Sequence, residues 1–254
     1  MTYTKTNLYS LGLEDRDRVN PTFGGGLPDS SIVLIEGEHG AGKSVITQRF
    51  CYGLAEAGSH VTYISTERTA SGFIDQMRSL NYDVVDHLLH EQILFLHADV
   101  DTIERLDTSD DVVEEERELL TRLMEANVMW RSDVVIFDGF DSILLHDPRY
   151  EAIRKHGDED DVIQNLITFF RRIVADGKSV VVTVNPSSLS DSALRPLRDV
   201  SDVYMSLEMK KVGQEVRRNV MIRKFAGMGN QVKDNIGFNV QSGRGLLIVN
   251  RTVA

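Results

Sequence analysis

Short apolar runs recur along the chain, and between them apolar residues fall at helical spacing. Ile32–Ile35, Val61–Ile64, Ile93–Leu96, Val134–Phe137 and Ser179–Val184 are continuous and rich in β-branched residues. Runs of that kind predict strands covered on both faces. Val45–Ala57 alternates at helical spacing, with Gly58 placed as its C-cap. Phe73, Ile74, Met77 and Leu80 predict a second amphipathic helix. Val162–Ala175 predicts a third, with Ile163, Leu166, Ile167, Phe170 and Val174 inward. This alternation predicts an α/β fold, a mainly parallel central sheet flanked by helices. After residue 200 the pattern changes. Val203–Leu207, Val216–Lys224, Ile236–Val240 and Leu246–Val249 follow one another, separated by glycines and by no helix. They predict antiparallel hairpins added to one edge of the sheet. No linker or repeat interrupts the chain, so residues 1–254 read as one domain with 1–30 as a lead-in. In that lead-in, Gly24–Gly26 bend the chain and Leu27-Pro28 enters the first core strand extended.

Composition narrows the function classes. The net charge of −11 argues against nucleic acid or an anionic membrane surface as a general partner. Eight lysines stand against twenty arginines and twenty-three aspartates, a balance resembling proteins of salt-loving archaea. Cys51 is the sole cysteine, so no internal disulfide forms, and its helical position predicts a buried thiol. Met1–Asn20 is too polar for a signal peptide, and no apolar run approaches the roughly 20 residues of a membrane span. The expected location is cytoplasmic, without direct membrane insertion. Asp99–Glu118 is strongly acidic and reads as a solvated face ahead of a cation or partner site, while Arg154–Asp161 reads as a charged surface loop.

One stretch carries specific chemistry. Gly37, Gly42, Lys43 and Ser44 have the spacing G-x-x-x-x-G-K-[ST] of the Walker A loop, directly after a strand and before a helix. Backbone N–H groups of such a loop turn inward around a nucleotide's phosphates, and the following helix N-terminus adds positive potential. The expected binding set is Gly37, Glu38, His39, Gly40, Ala41, Gly42, Lys43, Ser44 and Val45, with Lys43 on the β- and γ-phosphates and Ser44 on Mg²⁺. Val134–Asp138 has the Walker B form, a buried strand delivering Asp138 to the same Mg²⁺ through water. Asp141 and Ser142 either line that crevice or serve a turn. Asn185, at the end of a strand, either senses the γ-phosphate or is a turn residue before Pro186.

With these motifs in place, the whole chain resembles the RecA superfamily, its KaiC-like branch, and within that branch the ATP-binding proteins of the archaellum, the archaeal swimming motor. Gly24-Gly25-Gly26-Leu27-Pro28, Gly40-Ala41-Gly42-Lys43-Ser44 followed by Gln48-Arg49-Phe50, and Gly237-Phe238-Asn239-Val240 before Gly245-Leu246 carry the resemblance. It implies a RecA-like fold and ATP held between protomers of a homo-oligomeric ring, a hexamer by the family's habit. It also implies as partners the motor ATPase FlaI, the membrane platform FlaJ and a cytoplasmic ring scaffold linked to chemotaxis. Two departures bear on mechanism. The branch's paired glutamates after the second strand align here with Glu67-Arg68, leaving Glu67 either to activate water or to pair with a basic neighbour. The branch's K-x-R pattern, whose basic residues reach the neighbour's γ-phosphate, aligns with Lys224-Phe225-Ala226. Lys224 keeps the trans contact and the arginine is gone, so slow hydrolysis is expected. The leading expectation is a nucleotide-gated assembly switch. A self-sufficient KaiC-like ATPase or autokinase ranks second, and a DNA-recombination ATPase third.

Overall fold

The computed structural model describes residues 7–98, 119–147, 150, 159–212, 215–227, 230 and 232–249. Nine strands form one sheet in which six run parallel. At its centre is β3 (Ile32–Gly37), flanked by β7 (Ser179–Val184) and β8 (Val203–Val212). Outward from β7 lie β6 (Val134–Asp138), β4 (Val61–Ser65) and β5 (Ile93–His97). Outward from β8, the antiparallel strands β9 (Glu215–Phe225), β10 (Asn235–Gln241) and β11 (Gly245–Val249) complete the order. The predicted α/β architecture and its antiparallel C-terminal edge are both present.

Alternation along β3 shows why its run is apolar throughout. Val33 and Ile35 enter one hydrophobic cluster, Ile32 and Leu34 the other, on the opposite face. The first cluster is covered by α2 (Lys43–Glu56), α3 (Ala70–Ser79) and the N-terminal segment. The second is covered by α6 (Phe140–Leu145), α7 (Glu159–Ala175) and α8 (Asp191–Val200). The shorter α1 (Val19–Thr22), α4 (Val85–Leu89) and α5 (Leu119–Glu125) lie between strands. α2 ends as expected, with Gly58 at φ +94° and the Ser59 and Gly58 N–H groups donating to Leu54 O and Ala55 O, the two bonds of a Schellman motif.

Three boundaries differ from expectation. α7 begins at Glu159, so part of the expected surface loop is its first turn; 154–158 lies outside the described residues. The acidic stretch 99–118 also lies outside them. β8 runs on past the expected Leu207 to Val212, pairing with the start of β9, which keeps its expected bounds to within one residue, and the two form a ribbon beyond the sheet. Backbone pairing needs no apolar side chain, and the ion pair of Glu208 with Lys210 lies along it. Finally, Leu27–Pro28 (β2) does more than enter β3. It pairs antiparallel with Leu8–Tyr9 (β1) in a small separate sheet that the lead-in's polar sequence did not signal.

Candidate functional site

The carboxyl ends of β3, β6 and β7 and the N-terminus of α2 surround a cleft of about 320 Å³. Parallel strand order places those ends side by side, the usual place for a ligand in an open α/β sheet. Gly40 and Gly42 hold left-handed backbone angles, φ +76° and +105°, which turn the loop back upon the helix. A Cβ on Gly42 would stand 3.0 Å from the Phe238 ring of β10, so the loop rests directly on the C-terminal strands. No side chain caps α2, whose N-terminal donors therefore remain available to an anion.

Lys43 curls back over the loop, its Nζ donating to Gly37 O at 2.6 Å and Glu38 O at 3.4 Å. Ser44 Oγ donates to Asp138 Oδ1 at 3.2 Å, bringing together two residues far apart in the chain. Asp138 is 5% exposed and takes two more bonds, from Thr183 Oγ1 at 3.2 Å and Tyr63 OH at 2.9 Å. Its three partners are hydroxyls. Burial raises the Asp138 carboxyl above its ordinary range; the hydroxyls oppose that, and the charge of Glu67 adds to it. Burial beside Asp138 also pushes the Tyr63 phenol well up, so it stays a donor.

The structure gathers most of the expected residues. Glu38, His39, Gly40, Gly42, Lys43, Ser44 and Val45 line the cleft with Glu67, Asp138 and Asn185. Gly37 contributes its carbonyl to Lys43 from below, and Ala41 is packed into the core beneath the loop. Asn185 lines the cleft and holds the turn that follows, its Oδ1 accepting from Ser187 N at 3.1 Å. Asp141 and Ser142 line the cleft as well. Burial pushes the Asp141 carboxyl up, offset by the Asn185 backbone N–H, the Ser188 hydroxyl and the charge of Lys43. Lys224 is not brought to this cleft within the chain; it is exposed on β9 and donates to Asp199 O at 3.3 Å.

Of the lining residues, Gly139, Leu145, Ser188, Arg218 and Val240 were missed, and two of these come from the C-terminal strands. Arg218 on β9 lines the cleft and donates from Nε to Gly40 O at 3.1 Å; Val240 on β10 lines it too. Neither belongs to a local motif, and only the sheet order brings them to the loop.

The donor set suits a triphosphate with its metal. The start of α2, which no side chain caps, open space beside Gly40 and the flexible Lys43 face the cleft where phosphates fit. Among the described residues no group of three His, Cys, Asp or Glu side chains is gathered as a metal cage. A hard cation completing its shell with phosphate and water needs no such cage, and Ser44 with Asp138 offers the oxygens for one.

The KaiC ATPase family model matches residues 12–252. The archaeal flagellar ATP-binding protein FlaH of Methanocaldococcus jannaschii is 30% identical over 239 residues, covering 94% of this chain and 95% of that one. FlaH of Methanococcus voltae is 28% identical over 254 residues and the full length of both. The crystal structure of the flagellar accessory protein FlaH from M. jannaschii superposes with a TM-score of 0.80 at 29% identity, over 96% of this chain and 100% of that one. A KaiC-like protein from Pyrococcus horikoshii shares the fold with a TM-score of 0.69 at 20% identity, over 96% of this chain and 100% of that one. No helix among the described residues is long and apolar enough to cross a membrane.

Proposed function

This chain belongs to the KaiC family of ATPases and, within it, to the FlaH proteins; from that premise we propose that it is an ATP-binding component of the archaellum whose nucleotide state gates assembly. The observation that carries the reading is the convergence of Lys43, Ser44 and Asp138 on the uncapped start of α2. Lys43 leaves the carbonyls of Gly37 and Glu38 for the β- and γ-phosphates, a stronger, charge-assisted pairing. N–H groups of Gly40 through Val45 take the remaining phosphate oxygens. Ser44 Oγ and Asp138 would hold Mg²⁺, which would neutralise phosphate charge. Asn185 faces the γ-phosphate from the end of β7.

Hydrolysis is slow or partner-dependent in this reading. Glu67 lines the cleft and orients water, but Arg68 stands where a second carboxylate would assist it. Lys224, exposed on β9, reaches a neighbouring protomer's γ-phosphate in a homo-oligomeric ring. Where a finger arginine is used it contributes about 10³–10⁵ in rate, and Ala226 occupies that place. The ring, a hexamer, engages the motor ATPase FlaI and the membrane platform FlaJ, with a chemotaxis-linked scaffold around it. The protein is thereby cytoplasmic and held to the membrane through these partners. A γ-phosphate contact made across the interface in only one state supplies the differential affinity such a switch needs.

Lys43→Ala tests the reading. We expect it to abolish ATP binding in equilibrium titration and ring formation in light scattering together. An intact, ATP-bound ring in that variant would refute the coupling. Steady phosphate release by the wild-type protein alone, lost in Glu67→Gln, would instead favour the self-sufficient ATPase.

A further inference from the structure

Asp138 has two carboxylate oxygens, and they are held from different sides. Oδ1 accepts from Ser44 Oγ and Thr183 Oγ1, while Oδ2 accepts from Tyr63 OH at 2.9 Å. Strand register produces this arrangement. Ser65 of β4 lies opposite Asp138, so Tyr63, two residues earlier, projects from the same face under α2. Tyr63 is fully buried and contributes nothing to the lining of the cleft.

A phenol has one proton, and an ionised carboxylate only accepts, so that proton lies on the bond to Oδ2. The phenol oxygen is also 3.0 Å from Thr47 Oγ1. Thr47, one helical turn beyond the phosphate loop, stands 3.3 Å from Lys43 O and 3.1 Å from Ser44 O. A continuous polar path thus runs from the first turn of α2 through Thr47 and Tyr63 to the rear of Asp138. The Tyr63 ring is packed against Phe73 at 5.0 Å and Phe95 at 6.3 Å, which prevents it from swinging out. Resting on the nucleotide reading above, we propose that Tyr63 is a positioning residue for the divalent cation: by occupying Oδ2 from behind, it holds the carboxylate rotated so that Oδ1 faces Ser44.

Tyr63 acts through Asp138 and touches neither phosphate nor ion, so its removal changes the cation requirement and leaves metal-free nucleotide binding intact. Outer-shell hydrogen bonds of this kind are worth about 10–100-fold in metal affinity. Tyr63→Phe deletes one oxygen and keeps the ring. The experiment measures binding of a fluorescent ATP analogue to the full chain across a Mg²⁺ titration and in EDTA, with folding followed by circular dichroism. Expected is a Mg²⁺ midpoint raised about 10-fold or more, with affinity in EDTA within about twofold of wild type. An unmoved midpoint, or an equal loss with and without Mg²⁺, overturns the proposal. Thr47→Val, which removes the hydroxyl behind Tyr63, moves the midpoint the same way by about threefold, and an unmoved midpoint there overturns it should Tyr63→Phe fail to fold. Wild-type protein that binds no nucleotide under either condition overturns the nucleotide reading as well, whereas Mg²⁺-dependent wild-type binding with unmoved variants overturns Tyr63 alone.

Discussion

Two buried carboxylates sit near the ends of β3 and β6, strands separated only by β7, and their surroundings are opposite in kind. Glu36 at the end of β3 is 4% exposed, and Asp138 at the end of β6 is 5% exposed. Alternation sends them to different faces: Glu36 follows Ile32 and Leu34 toward α8, Asp138 follows Val134 and Ile136 toward α2. Glu36 is clamped by the Arg198 guanidinium at 2.7 and 3.0 Å, with Tyr204 OH at 2.9 Å. The pair raises the guanidinium of Arg198 further above its ordinary value, chiefly through those bonds. Asp138 receives only hydroxyls. Burying a carboxylate is costly unless a cation answers it. At Glu36 the cation is part of the chain, and the pair locks α8 to β3. At Asp138 the place for a cation opens on the cleft, and the proposed Mg²⁺ answers the charge there. The contrast separates a structural acid from one kept available.

Three variants break or sharpen that contrast. Arg198→Ala strands Glu36 and should have the largest effect, a loss of about 3–5 kcal/mol in urea unfolding. Asp138→Asn should lose at least about tenfold of the Mg²⁺-dependent gain in ATP affinity, roughly 1.4 kcal/mol. Its unfolding free energy should stay within about 1 kcal/mol of wild type, since the surrounding hydroxyls can both donate and accept. A large stability loss in Asp138→Asn would show that the hydroxyls compensate its charge fully, erasing the contrast. The smallest effect belongs to the double variant Glu36→Met/Arg198→Met, expected within about 1 kcal/mol of wild type, because removing both partners leaves no unpaired charge. A loss equal to that of Arg198→Ala would mean that packing, not pairing, makes that site.

What could be read from the chain follows the same division. The β3 run, the phosphate loop and the start of α2 are contiguous, so local chemistry specified all three. Val134–Asp138 was readable because a buried strand ending in a carboxylate has few explanations. Arg218, Val240 and Tyr63 were not, for each belongs to an ordinary strand pattern and acquires its neighbours only when sheet order is set. Glu36 offered a signal that went unused: an acid closing an apolar run needs a buried partner. Nothing local could have identified Arg198 as that partner. The extension of β8 beyond Leu207 escaped for a different reason, since backbone pairing with β9 continues there after apolar patterning stops.

The contact of Gly42 with Phe238 has a consequence for the order of events in biosynthesis. A ribosome releases the phosphate-loop sequence early and the β10 platform beneath it among the last residues described. Until that ring arrives, the growing chain carries the full motif without the floor that shapes it. The contact of the loop with Phe238 is therefore made late, as a property of the finished sheet, and an incomplete chain displays the motif without that part of its floor.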